Sequence, residues 1–188
     1  IKVFPYGNRI YVGGRFTSVV NGPSGPSYSQ AYLAAFDRAT GAWIDTFRPN
    51  LNGRVWDIDA TADGKLIIAG DFLSVNGDPS TTALAALDPI TGQLDPTWRV
   101  NVTRTGSTER SIVRSIDVSS DGFLYAAGRF NQVKGGTFNT ITRSSTVKVS
   151  AANGNPVTAW APQIQANAAD LEVSNDNTRV YLTGYFAN

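Results

Sequence analysis

Five carboxylates stand in a common local setting. Asp59, Asp117 and Glu172 come near the ends of three similar segments, Val55 to Ala60 (VWDIDA), Val113 to Val118 (VRSIDV) and Ala168 to Val173 (AADLEV), with Asp57 and Asp170 two residues before Asp59 and Glu172. Residues two apart on a strand share a face, so these acids are expected to line one inner surface. Paired carboxylates can serve as the acid and base of glycoside hydrolysis or as oxygen ligands for calcium. They can equally satisfy backbone donors and pair with Lys or Arg near a polar channel. Aligning Ile1-Lys2-Val3 with Ile58-Asp59-Ala60 puts Lys2 at the Asp59 position in the first unit. No stretch has the spacing of a calcium loop, and no metal site is expected.

Other chemistry is excluded by what the chain lacks. It has no Cys and no His, which removes disulfides, Cys nucleophiles, zinc sites with His or Cys ligands and His-based triads. The formal net charge is +1, with 12 Arg and 4 Lys scattered along the sequence, so no basic stripe marks a nucleic-acid footprint. Apolar runs are too short to cross a bilayer, and no membrane insertion is expected. The chain starts at Ile1, has no Met and shows no signal peptide, so either a processed N-terminus or a longer parent chain is expected. Low Lys, absent Cys and abundant Ser, Thr, Asn and Gly suit a secreted or cell-surface protein.

The elements that must position these residues are announced by four similar phrases. Gly13 to Phe16, Ala69 to Phe72, Ala127 to Phe130 and Thr183 to Phe186 carry a Gly two residues before a Phe, at spacings of 56, 58 and 56. Such a period is expected of an internal repeat. Asp63-Gly64, Asp121-Gly122 and Asp176-Asn177 predict hairpin turns, and the D-x-x-T-G of Asp37 to Gly41 and Asp88 to Gly92 predicts turns with a positive-φ Gly. A fourth strand is expected around Phe47, Trp98 and Trp160, each ten residues beyond the start of the turn. The predicted fold is therefore all-β: a β-propeller of four-stranded antiparallel blades, with about three and a half blades present. The blades would span 1–51, 52–108, 109–165 and 166–188. Closed propellers need about four to eight blades, so the remainder of a longer chain or a partner is expected to complete the ring.

The phrases Gly13 to Gly22 (GGRFTSVVNG), Leu33-Ala34-Ala35-Phe36-Asp37 and Phe47 to Gly53 (FRPNLNG) resemble secreted bacterial β-propeller repeats reading G-G-x-F-x-x-V-N-G, L-A-A-F-D-x-x-T-G and F-x-P-x-x-N-G. That resemblance implies a propeller from a large exported or surface protein. The third unit departs most, with Lys134-Gly135-Gly136 in place of V-N-G.

Length variation would place binding. From the second-strand Phe to the third-strand turn the chain runs 21, 16 and 20 residues, and from the outer aromatic to the next inner strand 8, 15 and 8. In up-and-down blades these connections share one face, where ligand loops are expected. Tyr28 and Phe138 are candidate stacking platforms there, and Arg104, Arg110 and Arg143 candidate donors to an anion or a carbohydrate. The expected function is a non-catalytic binding or structural module with a carbohydrate, cell-wall or protein ligand on that face. The alternative is a glycosidase-like hydrolase using Asp57, Asp59, Asp117, Asp170 and Glu172. The D-x-x-T-G turn is shared with quinoprotein propellers, but the docking Trp position is Asp45 or Pro96 here, and no cofactor is expected. Asn101-Val102-Thr103 is a glycosylation sequon, meaningful only in a host that glycosylates.

Overall fold

A computed structural model describes residues 1–22, 24–164 and 167–186. In the first sheet β1 (Lys2–Tyr6) and β2 (Arg9–Gly13) form a hairpin; the chain then makes the small hairpin β3 (Ser18–Val20) and β4 (Ser27–Ser29) before β5 (Leu33–Asp37) pairs with β2. The second sheet joins β6 (Val55–Ala60), β7 (Leu66–Gly70) and β8 (Leu84–Leu87). After β9 (Val100–Thr103) come β10 (Ile112–Val118) and β11 (Phe123–Arg129) of the third sheet. β12 (Gln132–Gly135) and β13 (Ile141–Thr142) pair back towards β9, and β14 (Thr146–Ser150) completes the third sheet on β11. β15 (Ala168–Val173) and β16 (Val180–Gly184) form the last hairpin. The helical element described is the single turn Pro79–Thr81; among the described residues no helix is long and apolar enough to cross a membrane.

The all-β expectation holds, and the propeller of four-stranded blades does not. The described residues form six open sheets of two or three strands, none closed on itself and none joined into a ring. The four sequence phrases therefore do not become four equal units, and among the described residues there is no ring of blades for a partner to complete. The missing fourth strands have a local cause. After β5, β8 and β14 the chain makes a single bridge back, Phe36 to Trp43, Leu87 to Leu94 and Val149 to Pro156, and then turns. Phe47 and Trp160 donate their amides to Ile44 and Val157 at 3.2 and 3.1 Å, and Asp95 accepts from Thr97 and Trp98 at 2.8 and 3.1 Å. Pro49, Pro96 and Pro162 near these turns lack the donor a ladder needs. Phe47 and Trp98 are fully buried, so the aromatic anchors enter the core from turns.

The inter-sheet core is continuous in kind. Tyr11, Leu33, Val55, Ile58, Leu66 and Phe72 pack the first sheet on the second; Ile67, Leu84, Val113, Leu124 and Trp98 pack the second on the third. Tyr125, Leu171 and Val173 pack the third on the last hairpin, with Tyr125 and Trp160 edge to face at 5.3 Å. Strands β1, β6, β10 and β15 consequently run past one another along an inner edge. Gly70 shows how closely the backbone must pack there. A Cβ on it would lie 2.1 Å from the Arg54 carbonyl and 2.7 Å from the Phe72 ring.

Two further expectations shift. Lys2 is opposite Gly13 as Asp57 is opposite Ala69, so Lys2 takes the Asp57 position and Phe4 that of Asp59. The cause is the tight Gly7-Asn8 turn between the paired Tyr6 and Arg9, shorter than the turn after Ala60. The stretches expected as variable ligand loops also contribute strands, in the β3-β4 hairpin and the β13-β12-β9 sheet. The boundary expected at 165/166 lies outside the described residues.

Candidate functional site

The carboxylates on the inner edge tie one sheet to the next. Asp57 accepts from the amide of Ile58 on its own strand and from the amide of Ile116 on β10, both at 2.9 Å. Asp59 repeats the pattern with Ala60 at 2.7 Å and Val118 at 2.8 Å, and Asp117 accepts from Val173 on β15 at 2.6 Å. Asp170 accepts from the Ser115 hydroxyl at 2.7 Å and from Leu171 at 3.0 Å. Lys2 Nζ lies 2.7 Å from Asp57; burial opposes its charge, but Asp57 holds the ammonium above its ordinary pKa. Burial raises the Asp59 pKa, with the charges of Asp117 and Asp57 adding to it against the amide bonds of Ala60 and Val118.

This geometry corrects the hydrolase alternative. Both oxygens of Asp57 are held by buried backbone amides and both of Asp59 by partly buried ones, and among the described residues the sheets beside them close no channel. Glu172 is exposed beside Asp117 in a polar cleft of about 200 Å³. Among the described residues no group of three or more acids is arranged to hold a metal ion.

Arginines gather where these inner strands begin. The β6-β7 register slips between Val55 and Asp57, and the β10-β11 register between Val113 and Ser115, which makes Trp56 and Arg114 the extra residues of two bulges. A bulge bends its strand and re-aims a side chain. Here the Arg54 guanidinium lies 3.5 Å from the centre of the Trp56 ring and that of Arg114 5.9 Å away. A cavity of about 510 Å³ opens beside them, lined by Arg15, Tyr32, Arg54, Trp56, Asp71 and Arg110 among others. Asp71 is its one acid, and it already accepts from the Arg54 amide at 2.7 Å. Arg54 Nε, Trp56 Nε1 and Arg114 Nε are buried and find no hydrogen-bond partner among the described residues. Buried donors are almost always satisfied in folded proteins, and three together beside a cationic cavity suit an anion.

A family model described as "Domain of unknown function (DUF5122) beta-propeller" matches residues 61–97. That is the similarity of a segment well under half of the chain, running from the turn after β6 to the residue before Trp98. The broader resemblance to secreted β-propeller repeats is not upheld, because the sheets around this segment are open. No curated protein matches the chain. The binding module and hydrolase expected from a propeller lose their architectural basis together.

The other candidate ligand residues are dispersed. Tyr28 packs at a tilt against Trp43 with centroids 4.8 Å apart, and Phe138 is exposed beyond β12. Arg143 donates to the carbonyls of Thr142 and Thr158 at 2.8 and 2.7 Å. Arg104 and Arg110 do share a neighbourhood: Glu109 lies 2.6 Å from Arg104 and 3.0 Å from Arg129, and Arg129 reaches the Arg110 carbonyl at 3.5 Å. Sequence reasoning missed Arg15, Arg54, Trp56, Arg114 and Arg129. A usable signal was present at Arg15 and Arg129, each following the second-strand Gly; the bulges that turn Trp56 and Arg114 leave no local mark.

Proposed function

We propose that this chain binds an anionic ligand in the arginine-lined cavity at the head of β6 and β10. The observation that carries the reading is the set of buried, unpartnered donors on Arg54, Trp56 and Arg114 beside a cavity with three arginines and one carboxylate. Guanidinium groups match carboxylate and phosphate oxygens in bidentate geometry, and the partly buried setting strengthens each bond relative to water. Citrate and inorganic phosphate are suitable probes, titrated by calorimetry at low ionic strength, where charge interactions are least screened. Arg110 is exposed and contributes no core packing, so Arg110→Ala is expected to fold normally. Losing one charge-assisted bond should weaken binding about tenfold or more. Absence of binding by either anion, or an affinity indifferent to Arg110→Ala, refutes the proposal.

A further inference from the structure

Of the 12 arginines in the chain, six occupy this one neighbourhood: Arg15, Arg54 and Arg110 on the cavity, Arg114 over Trp56, and Arg104 and Arg129 around Glu109. The acids set against them in these contacts are Asp71 and Glu109. One small anion in the cavity would leave part of this charge unanswered.

We infer that the ligand is an acidic peptide segment, one of whose side-chain carboxylates displaces Glu109 from Arg104 and Arg129 while another enters the cavity among Arg15, Arg54 and Arg110. This rests on the anion-binding reading above and names its ligand class. Glu109 itself supplies the template. A glutamyl carboxylate already sits between two guanidinium groups, at 2.6 and 3.0 Å, and the Glu109 side chain remains about half exposed. Arg129 Nε is buried without a partner among the described residues even with Glu109 in place, so the clamp has donor capacity to spare. Alternate side chains of an extended peptide recur on one side about every 7 Å, which lets neighbouring carboxylates reach the clamp and the cavity from one backbone. The clamp adjoins the cavity-lining Arg110, whose carbonyl Arg129 reaches at 3.5 Å.

Glu109 is thereby a tethered competitor. Exposed ion pairs of this kind are individually weak, so the competition is modest and measurable. Binding of a fluorescent hexaglutamate is followed by anisotropy beside calorimetry with citrate. Hexaglutamate should bind at least tenfold more tightly than N-acetylglutamate amide, and Glu109→Gln should tighten hexaglutamate about threefold to tenfold. Arg129→Gln should weaken hexaglutamate, with Arg104→Gln as an independent check should that variant fold poorly. If citrate binds but hexaglutamate gains nothing over the single residue, or Glu109→Gln does not tighten it, the peptide inference falls and the anion site stands. A polyuronate or single-stranded DNA of matched charge binding more tightly than hexaglutamate also overturns it. If neither citrate nor hexaglutamate binds, the anion-binding reading is the one that fails.

Discussion

Removing the Asp57 side chain should separate two accounts of how Asp57 stabilises the inner edge, by its amide bonds or by its ion pair with Lys2 on β1. Asp57 is 6% exposed and accepts from Ile58 and Ile116 amides, both buried, besides facing Lys2. Asp57→Ala orphans the Ile116 amide between two packed sheets, and an unsatisfied buried donor costs about 1–3 kcal/mol. The local bond to Ile58 is worth about another 1 kcal/mol. The ion pair adds less, because the Lys2 side chain is 40% exposed and solvent screens it to about 1 kcal/mol or below. The expected loss is about 2–5 kcal/mol, against about 1 kcal/mol or less for Lys2→Ala. Urea unfolding followed by tryptophan fluorescence reads the difference. With a slope of about 2–3 kcal/mol per molar urea, Asp57→Ala should lower the midpoint by about 0.7–2.5 M. Asp117→Ala removes a single inter-sheet bond, to Val173, and should cost about 1–2 kcal/mol; it is the measurement to use if Asp57→Ala does not fold. Equal losses for Asp57→Ala and Lys2→Ala would refute the reasoning, since the ion pair and not the amide bonds would then carry the contact.

Three other outcomes follow from the packing and the turns. Gly70→Ala should destabilise by about 3 kcal/mol, because the added methyl meets the Arg54 carbonyl, whereas Gly77→Ala has open space and only a positive φ to accommodate, costing about 1–2 kcal/mol; equal losses in urea unfolding would contradict the packing. The Asp59 carboxyl, raised by burial and by the Asp117 and Asp57 charges, gives stability that is full below its ordinary value of 3.8 and lost as pH rises through its folded value. Asp37, lowered by the Thr40 hydroxyl and amide, works oppositely, its contribution being lost as pH falls through its folded value below 3.8. Asp117→Asn keeps an acceptor for Val173 and removes one charge, so carbon-detected NMR titration should show the Asp59 pKa falling towards 3.8; no movement would remove Asp117 as a cause.

Sequence and structure agree where the decisive contacts are local. Asp37 and Asp88 each accept two amides and a Thr hydroxyl within the next three residues, and Gly41 and Gly92 take φ of 72°. Gly64, Gly122 and Asn177 take the positive φ expected of their hairpins. Each of these depends on residues a few positions apart, so the residue types suffice. The positions of Phe47 and Trp98 as buried anchors were legible for the same reason, but whether a strand or a turn delivers them depends on the ladder partners available, and single bridges leave turns. The carboxylates were visible as a set, yet their partners lie 59 or 56 residues onward on another sheet. No pattern within one segment separates an acid awaiting a substrate from an acid awaiting a backbone amide. The arginine cluster is less legible still. Arg15, Arg54, Arg114 and Arg129 are scattered through a chain of net charge +1, and they converge only because sheets stack along one edge while bulges at Trp56 and Arg114 turn two side chains toward a third. A composition near neutrality constrains the sum of the charges and says nothing of their placement. In this chain Asp57, Asp59 and Asp117 are engaged between sheets, while Arg54 and Arg114 keep buried side-chain donors without partners among the described residues.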